Sequence, residues 1–194
     1  MKILPIYTYG FDILRKKGKK IPAVDDDLVE LVQNMFHTMH QASGIGLAAP
    51  QIGTDIALTV IDISKVEGEE KKKPLVLLNP KITDFHGACI MEEGCLSLPT
   101  LRAEVERPEN IFLTYQDLDL NEIKIELDGL MSRVVQHELD HLNGILFIDH
   151  LSKPQKKLIK ERLSMIKKGE IMVNYALAEL QSKSKKSKSK VKLM

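Results

Sequence analysis

The stretch GIGLAAPQIG, Gly44 to Gly53, separates two folds. Gly44, Gly46 and Ala49 fit the G-x-G-x-x-G/A pattern of a dinucleotide-binding loop, which would make the chain a redox enzyme. That pattern works only where a strand enters the glycines and a helix leaves them, so that a pyrophosphate sits on the helix N-terminus. Here the order is reversed. Upstream, DDDLVELVQNMFHTMHQAS spaces Leu28, Leu31, Val32, Met35, Phe36 and Met39 as one helix face, and Asp25, Asp26 and Asp27 supply negative charge where that helix begins. Downstream, Pro50 stops any helix the glycines could open, and IALTVIDI reads as a strand. The glycines therefore serve a close backbone approach to something other than a pyrophosphate, and the class is α+β.

Working outward, the pattern predicts a helix from about Asp25 to Ala42, strands near Ile56 to Ile63, Leu75 to Leu78, Ile111 to Tyr115 and Ile123 to Leu127, then two helices. EIKIEL alternates as a half-buried strand does, and EGEEKKKP reads as an exposed loop between strands. The 194 residues suffice for one well-buried domain, and nothing in the composition marks a second. No segment is long enough to span a bilayer, and Pro5 interrupts the apolar start MKILPIYTYG before a signal-peptide core is complete. The expected compartment is the cytoplasm, where Cys89 and Cys95 stay reduced.

A net charge of +1 hides an asymmetry. The end SKSKKSKSKVKLM holds six of the 28 basic residues and no acidic one, which leaves residues 1–181 with 22 basic against 27 acidic side chains, net −5. A lysine and serine repeat cannot bury enough apolar surface to offset its ordering entropy. Residues 1–181 thus read as a single domain and 182–194 as a disordered basic tail.

The chemistry lies in QHELDH, Gln136 to His141, on a helix expected from about Asp128 to Asn143, with Asp128 as N-cap and Gly144 as its stop. His137 and His141 stand one turn apart, the spacing at which two imidazoles reach one metal ion, and Glu138 can reach a water there without being a ligand. Leu130 and Val134 continue the histidine face as an apolar stripe, on which two unpartnered histidines would be costly. A hydrolytic site needs a third ligand. Asp149, His150 and Glu161 downstream would suit a zinc peptidase; upstream stand the cysteines, with Cys95 in EEGCLSLP expected on an exposed turn and Cys89 expected as a buried, packed thiol. His37 and His40 read as packed or surface residues, and Arg102 and Arg133 as surface or helix-face charges. Asp140 either orients a ligand histidine or faces water.

GIGLAAPQ, EEGCLS and QHELDH, in this order and at these separations, resemble the three signature motifs of the peptide deformylases, and the likeness runs from ILPIYTYG to Ser152. The resemblance implies antiparallel or mixed sheets packed around a central HExxH-bearing helix, with a further helix at the C-terminus. It implies removal of the N-formyl group from the formylmethionine of nascent polypeptides, with release of formate. It also implies Cys95 as the third ligand beside His137 and His141, and Glu138 as general acid/base. Gln51 and the backbone N–H of Leu96 would steady the developing oxyanion. Gly44, Ile45 and Gly46 would lie along the substrate backbone, and Val134 is a wall for its methionine. The cofactor implied is one divalent ion, ferrous iron first, with zinc, nickel or cobalt also suited to such a donor set. The basic C-terminal segment is expected to meet ribosomal RNA phosphate.

Overall fold

The computed structural model describes residues 1–179, so the tail expected at 182–194 lies outside the described residues. Helix α1 (Asp26–Gln41) begins where the acidic run predicts, with the Asp25 side chain accepting the N–H of Leu28 at 2.8 Å. The chain then forms β1 (Gly46–Ala48), a short 3-10 turn at Ala49–Ile52 that carries Gln51, and β2 (Leu58–Ile61). Strands β3 (Leu75–His86), β4 (Cys89–Cys95), β5 (Leu98–Arg107), β6 (Asn110–Gln116) and β7 (Glu122–Leu127) follow. Helices α2 (Gly129–Leu142) and α3 (Lys153–Lys168) complete the order.

Five strands make one sheet in the order β1-β2-β3-β6-β7, and β4 and β5 pair as a separate hairpin. Each of these pairings is antiparallel; among the described residues parallel pairing is confined to isolated bridges at Ile6–Leu177 and Lys19–Ile56. Three strands go beyond the expected set: β1, β4 and β5. The predicted strand at Leu75 to Leu78 continues through Pro80 to His86. A register shift between Leu78 and Lys81, with Asn79 at φ 52°, accommodates the missing proline N–H.

Helix α2 is buried from Met131 to Leu139, so it is a central element and not an amphipathic surface helix. Val135 packs with Ile61, Leu77 and Ile111 of the large sheet, while Arg133 on the same helix donates to the Val105 carbonyl of the hairpin at 2.9 Å. Asp128 holds the N-cap position but its side chain makes no capping bond, a correction to the expected start. The stop is as predicted: Gly144, just past Asn143, takes the left-handed conformation at φ 72°. A third cluster, with Leu98, Phe147 and Ile166 fully buried, seats α3 on the hairpin.

Candidate metal centre

Cys95 ends β4 and by strand alternation shares the inward face with Glu93, which directs its sulfur toward α2. Its Sγ lies 3.2 Å from Nε2 of His141, and donor atoms of Cys95, His137 and His141 all fall within 4.8 Å of one another. Cys95 is therefore the half-buried last residue of a strand, where an exposed turn was expected. Among the described residues this is the one group of His, Cys, Asp and Glu so arranged. The downstream alternatives are engaged elsewhere or stand in solvent: Asp149 pairs with Arg15, His150 with Asp140 at 2.7 Å, and Glu161 is exposed.

One acidic residue that the sequence reading left without a role organises the support. Glu93 is 5% exposed, and its carboxylate accepts from Nδ1 of His137 at 2.8 Å, from Nε and Nη2 of Arg107 at 2.6 and 3.0 Å, and from Nη1 of Arg133 at 2.8 Å. Burial by itself would raise its pKa, but His137 and Arg107 outweigh that and hold the carboxyl well below the usual range. The bond to Nδ1 fixes the His137 ring so that Nε2 faces the sulfur.

Arg133 is buried and donates also to the Cys89 carbonyl at 2.6 Å, which corrects the surface-charge expectation. Cys89 itself is half-buried at the start of β4 and not packed inside the core. Asp140 orients neither ligand: it binds Arg107 and His150, each at 2.7 Å. Arg102 stays exposed, paired with Glu92 at 3.2 Å, and His40 is held by Asp62 at 2.8 Å.

A cavity of about 510 Å³ opens onto Cys95 and His137. Gly44, Ile45, Gly46, Gln51, Leu96 and Val134 all line it, as do Cys95, His137 and Glu138. His141 lies beneath, 1% exposed, and burial followed by the His137 charge lowers its pKa well below the ordinary value. For His137 burial acts downward, but hydrogen bonds to Cys95 and Glu93 prevail and raise it well above the ordinary value. The sulfur and carboxylate thus favour positive charge between them, as a metal site requires. Glu138 is 3% exposed, its Oε2 has no hydrogen-bond partner among the described residues, and burial pushes its pKa up to about 7. An orphaned carboxylate oxygen beside one thiol and two imidazoles fits a catalytic metal with an open position.

Residues 3–157 match the polypeptide deformylase family. The chain belongs to the peptide deformylases. The peptide deformylase of Chlorobium phaeobacteroides is 45% identical over 176 residues, 91% of this chain and 95% of the relative. That of Prosthecochloris aestuarii is 43% identical over 185 residues, 95% and 100% of the two chains. Among solved structures, a plant peptide deformylase superposes with a TM-score of 0.81 at 37% identity, covering 88% of this chain and 92% of that one. The Legionella pneumophila peptide deformylase does so with a TM-score of 0.79 at 38% identity, covering 87% and 98%. As a deformylase the chain is a metal-dependent amidase acting on N-formyl groups. The resemblance read from the three motifs therefore holds for fold and activity alike.

Proposed function

We propose that Cys95, His137 and His141 hold one ferrous ion and that Glu138 moves the proton as N-formylmethionyl nascent peptides lose their formyl group. The observation that carries this reading is the cluster of three donors within 4.8 Å beside the unpartnered Glu138 Oε2. A divalent ion bound there would supply Lewis acidity toward water and the formyl oxygen. Glu138 takes the proton of the attacking water and later delivers it to the leaving amine; a pKa near 7 suits both directions.

Gln51, 1% exposed, accepts the Ala48 N–H at 2.8 Å through Oε1, which aims its amide toward Cys95 and Ser97. That amide and the Leu96 N–H are the donors for the oxygen that becomes negative. β1 is an edge strand, open to a further chain. Ile45 gives its C=O to the Asp62 N–H at 3.0 Å, so by strand alternation Gly46 presents its polar groups to the open side, where the substrate backbone pairs with it; the Ile45 N–H, on a bend just before β1, is the second contact by family resemblance and not by alternation. A side chain at Gly46 would collide with the Glu138 carboxylate, and one at Gly44 would meet Cδ1 of Leu96 at 2.9 Å. The same crowding favours formyl over acetyl. Val134 and Leu130 offer an apolar wall for methionine.

Metal analysis of anaerobically purified enzyme tests the ion: iron with full turnover, lost on peroxide treatment, is expected. Peroxide-resistant turnover with zinc alone would contradict it. No helix among the described residues is long and apolar enough to cross a membrane, and the reading places the enzyme in the cytoplasm beside the ribosome. Six lysines in the last 13 residues favour a salt-sensitive contact with RNA phosphate. Deleting residues 182–194 is expected to weaken low-salt co-sedimentation with ribosomes while turnover of a formyl-Met tripeptide stays unchanged; equal co-sedimentation of both forms would refute that contact.

A further inference from the structure

Beyond α3 the chain reverses at Gly169, φ 75°, and returns to the rim of the active cavity. There it pairs with the N-terminal segment: the Ile6 N–H donates to the Ala176 carbonyl and the Ala178 N–H to the Ile6 carbonyl, both at 2.9 Å. Ile6 is fully buried, so this pairing ties the returning strap to the body of the domain. The same N-terminal segment grips both sides of the site, with the Tyr7 N–H on the Gln51 carbonyl and the Tyr9 N–H on the Ser97 carbonyl, each at 2.8 Å. What the strap delivers is Tyr175. Its hydroxyl donates to the Leu96 carbonyl at 2.8 Å, and it lines the cavity with Cys95 and Leu96.

Leu96 follows Cys95 in the two-residue turn, Leu96 and Ser97, that joins β4 to β5, where the antiparallel ladder does not fix the peptide planes. A donor aimed at its carbonyl restricts rotation about the residue that carries the N–H. We propose that Tyr175 is a positioning residue: through its hydroxyl it holds Leu96 so that the Leu96 N–H points at the oxygen that becomes negative in the reaction. This rests on the reading of Leu96 as an oxyanion donor. Tyr175 touches no reacting atom; it acts through the peptide it pins.

The test is a double-mutant cycle on metal-loaded, full-length enzyme with a formyl-Met tripeptide. One change is Tyr175→Phe, which keeps the ring and removes the hydroxyl; the other is an amide-to-ester replacement that deletes only the Leu96 N–H. Tyr175→Phe is expected to lower kcat about 10-fold, the effect of one lost hydrogen bond, with KM and metal content unchanged. The ester should cost roughly 10²-fold or more, as loss of an oxyanion donor does. The combination should be no slower than the ester alone, because the pinned group is gone. An ester enzyme with normal kcat overturns the oxyanion reading and the proposal with it. A slow ester enzyme with normal Tyr175→Phe kcat overturns Tyr175 alone. Losses that multiply, or a Tyr175→Phe effect confined to KM, also overturn it, by marking Tyr175 as a general support or a groove wall.

Discussion

Glu138→Gln retains its metal and releases formate roughly 10²- to 10⁴-fold more slowly than the parent enzyme, the range a positioned general base contributes. The substitution is close to isosteric, and Glu138 stands outside the three-donor group, so Cys95, His137 and His141 are expected to keep their places. What disappears is an oxygen able to take and return a proton. Among the described residues Oε2 is buried without a hydrogen-bond partner, so no group already bonded to it stands ready to replace it. Burial, which raises the Glu138 pKa, is unchanged by the amide, and a folding defect is therefore not expected. Near-parental turnover with full metal would remove Glu138 from the role assigned to it.

The ligand helix was legible because its signals are local: an i, i+4 histidine pair, and Gly144 where the helix stops. Helix α1 was legible for the same reason, with Asp25 as its cap. The hairpin that brings Cys95 to the two histidines was not. Along β4 the inward positions are Cys89, Met91, Glu93 and Cys95, so a carboxylate stands where a period-two apolar signal needs a hydrophobe. Strand β5 did carry such a signal in Leu101, Ala103 and Val105, and it went unread because Arg107 completes the inward row with a charge.

Those two charges explain each other only across the pair, where Arg107 is within 2.6 Å of Glu93. Sequence offers no rule for choosing Glu93 over Glu92 or Asp140 as the partner of His137, since the choice depends on which strand crosses the helix. Arg133 suffered likewise: on a helix wheel it is one more charge, and only the hairpin shows it buried. Cutting such a network at one member leaves the others as uncompensated buried charges, the costly outcome for an ion cluster. Tyr175 had no local signal at all, because its partner Leu96 lies 79 positions away.

The identity of the third ligand was open on residue chemistry alone and rested on the resemblance; geometry now supports Cys95, with its sulfur 3.2 Å from His141. Cys95→Ala is the substitution with the largest effect on metal. A three-donor set reduced to two imidazoles would lose its thiolate outright, an expected cost above the roughly 10- to 100-fold loss of affinity typical when a group supporting a ligand is removed. Cys89→Ala is the matched control, since that thiol stands at the far end of the same strand and belongs to no donor group.

The most direct test of the centre is metal content after dialysis, measured on anaerobically prepared parent, Cys95→Ala and Cys89→Ala proteins alongside formate release from a formyl-Met tripeptide. The three-donor site predicts that Cys89→Ala matches the parent in both quantities while Cys95→Ala is nearly free of metal and turnover. Equal metal in the two variants, with turnover retained by Cys95→Ala, would contradict it.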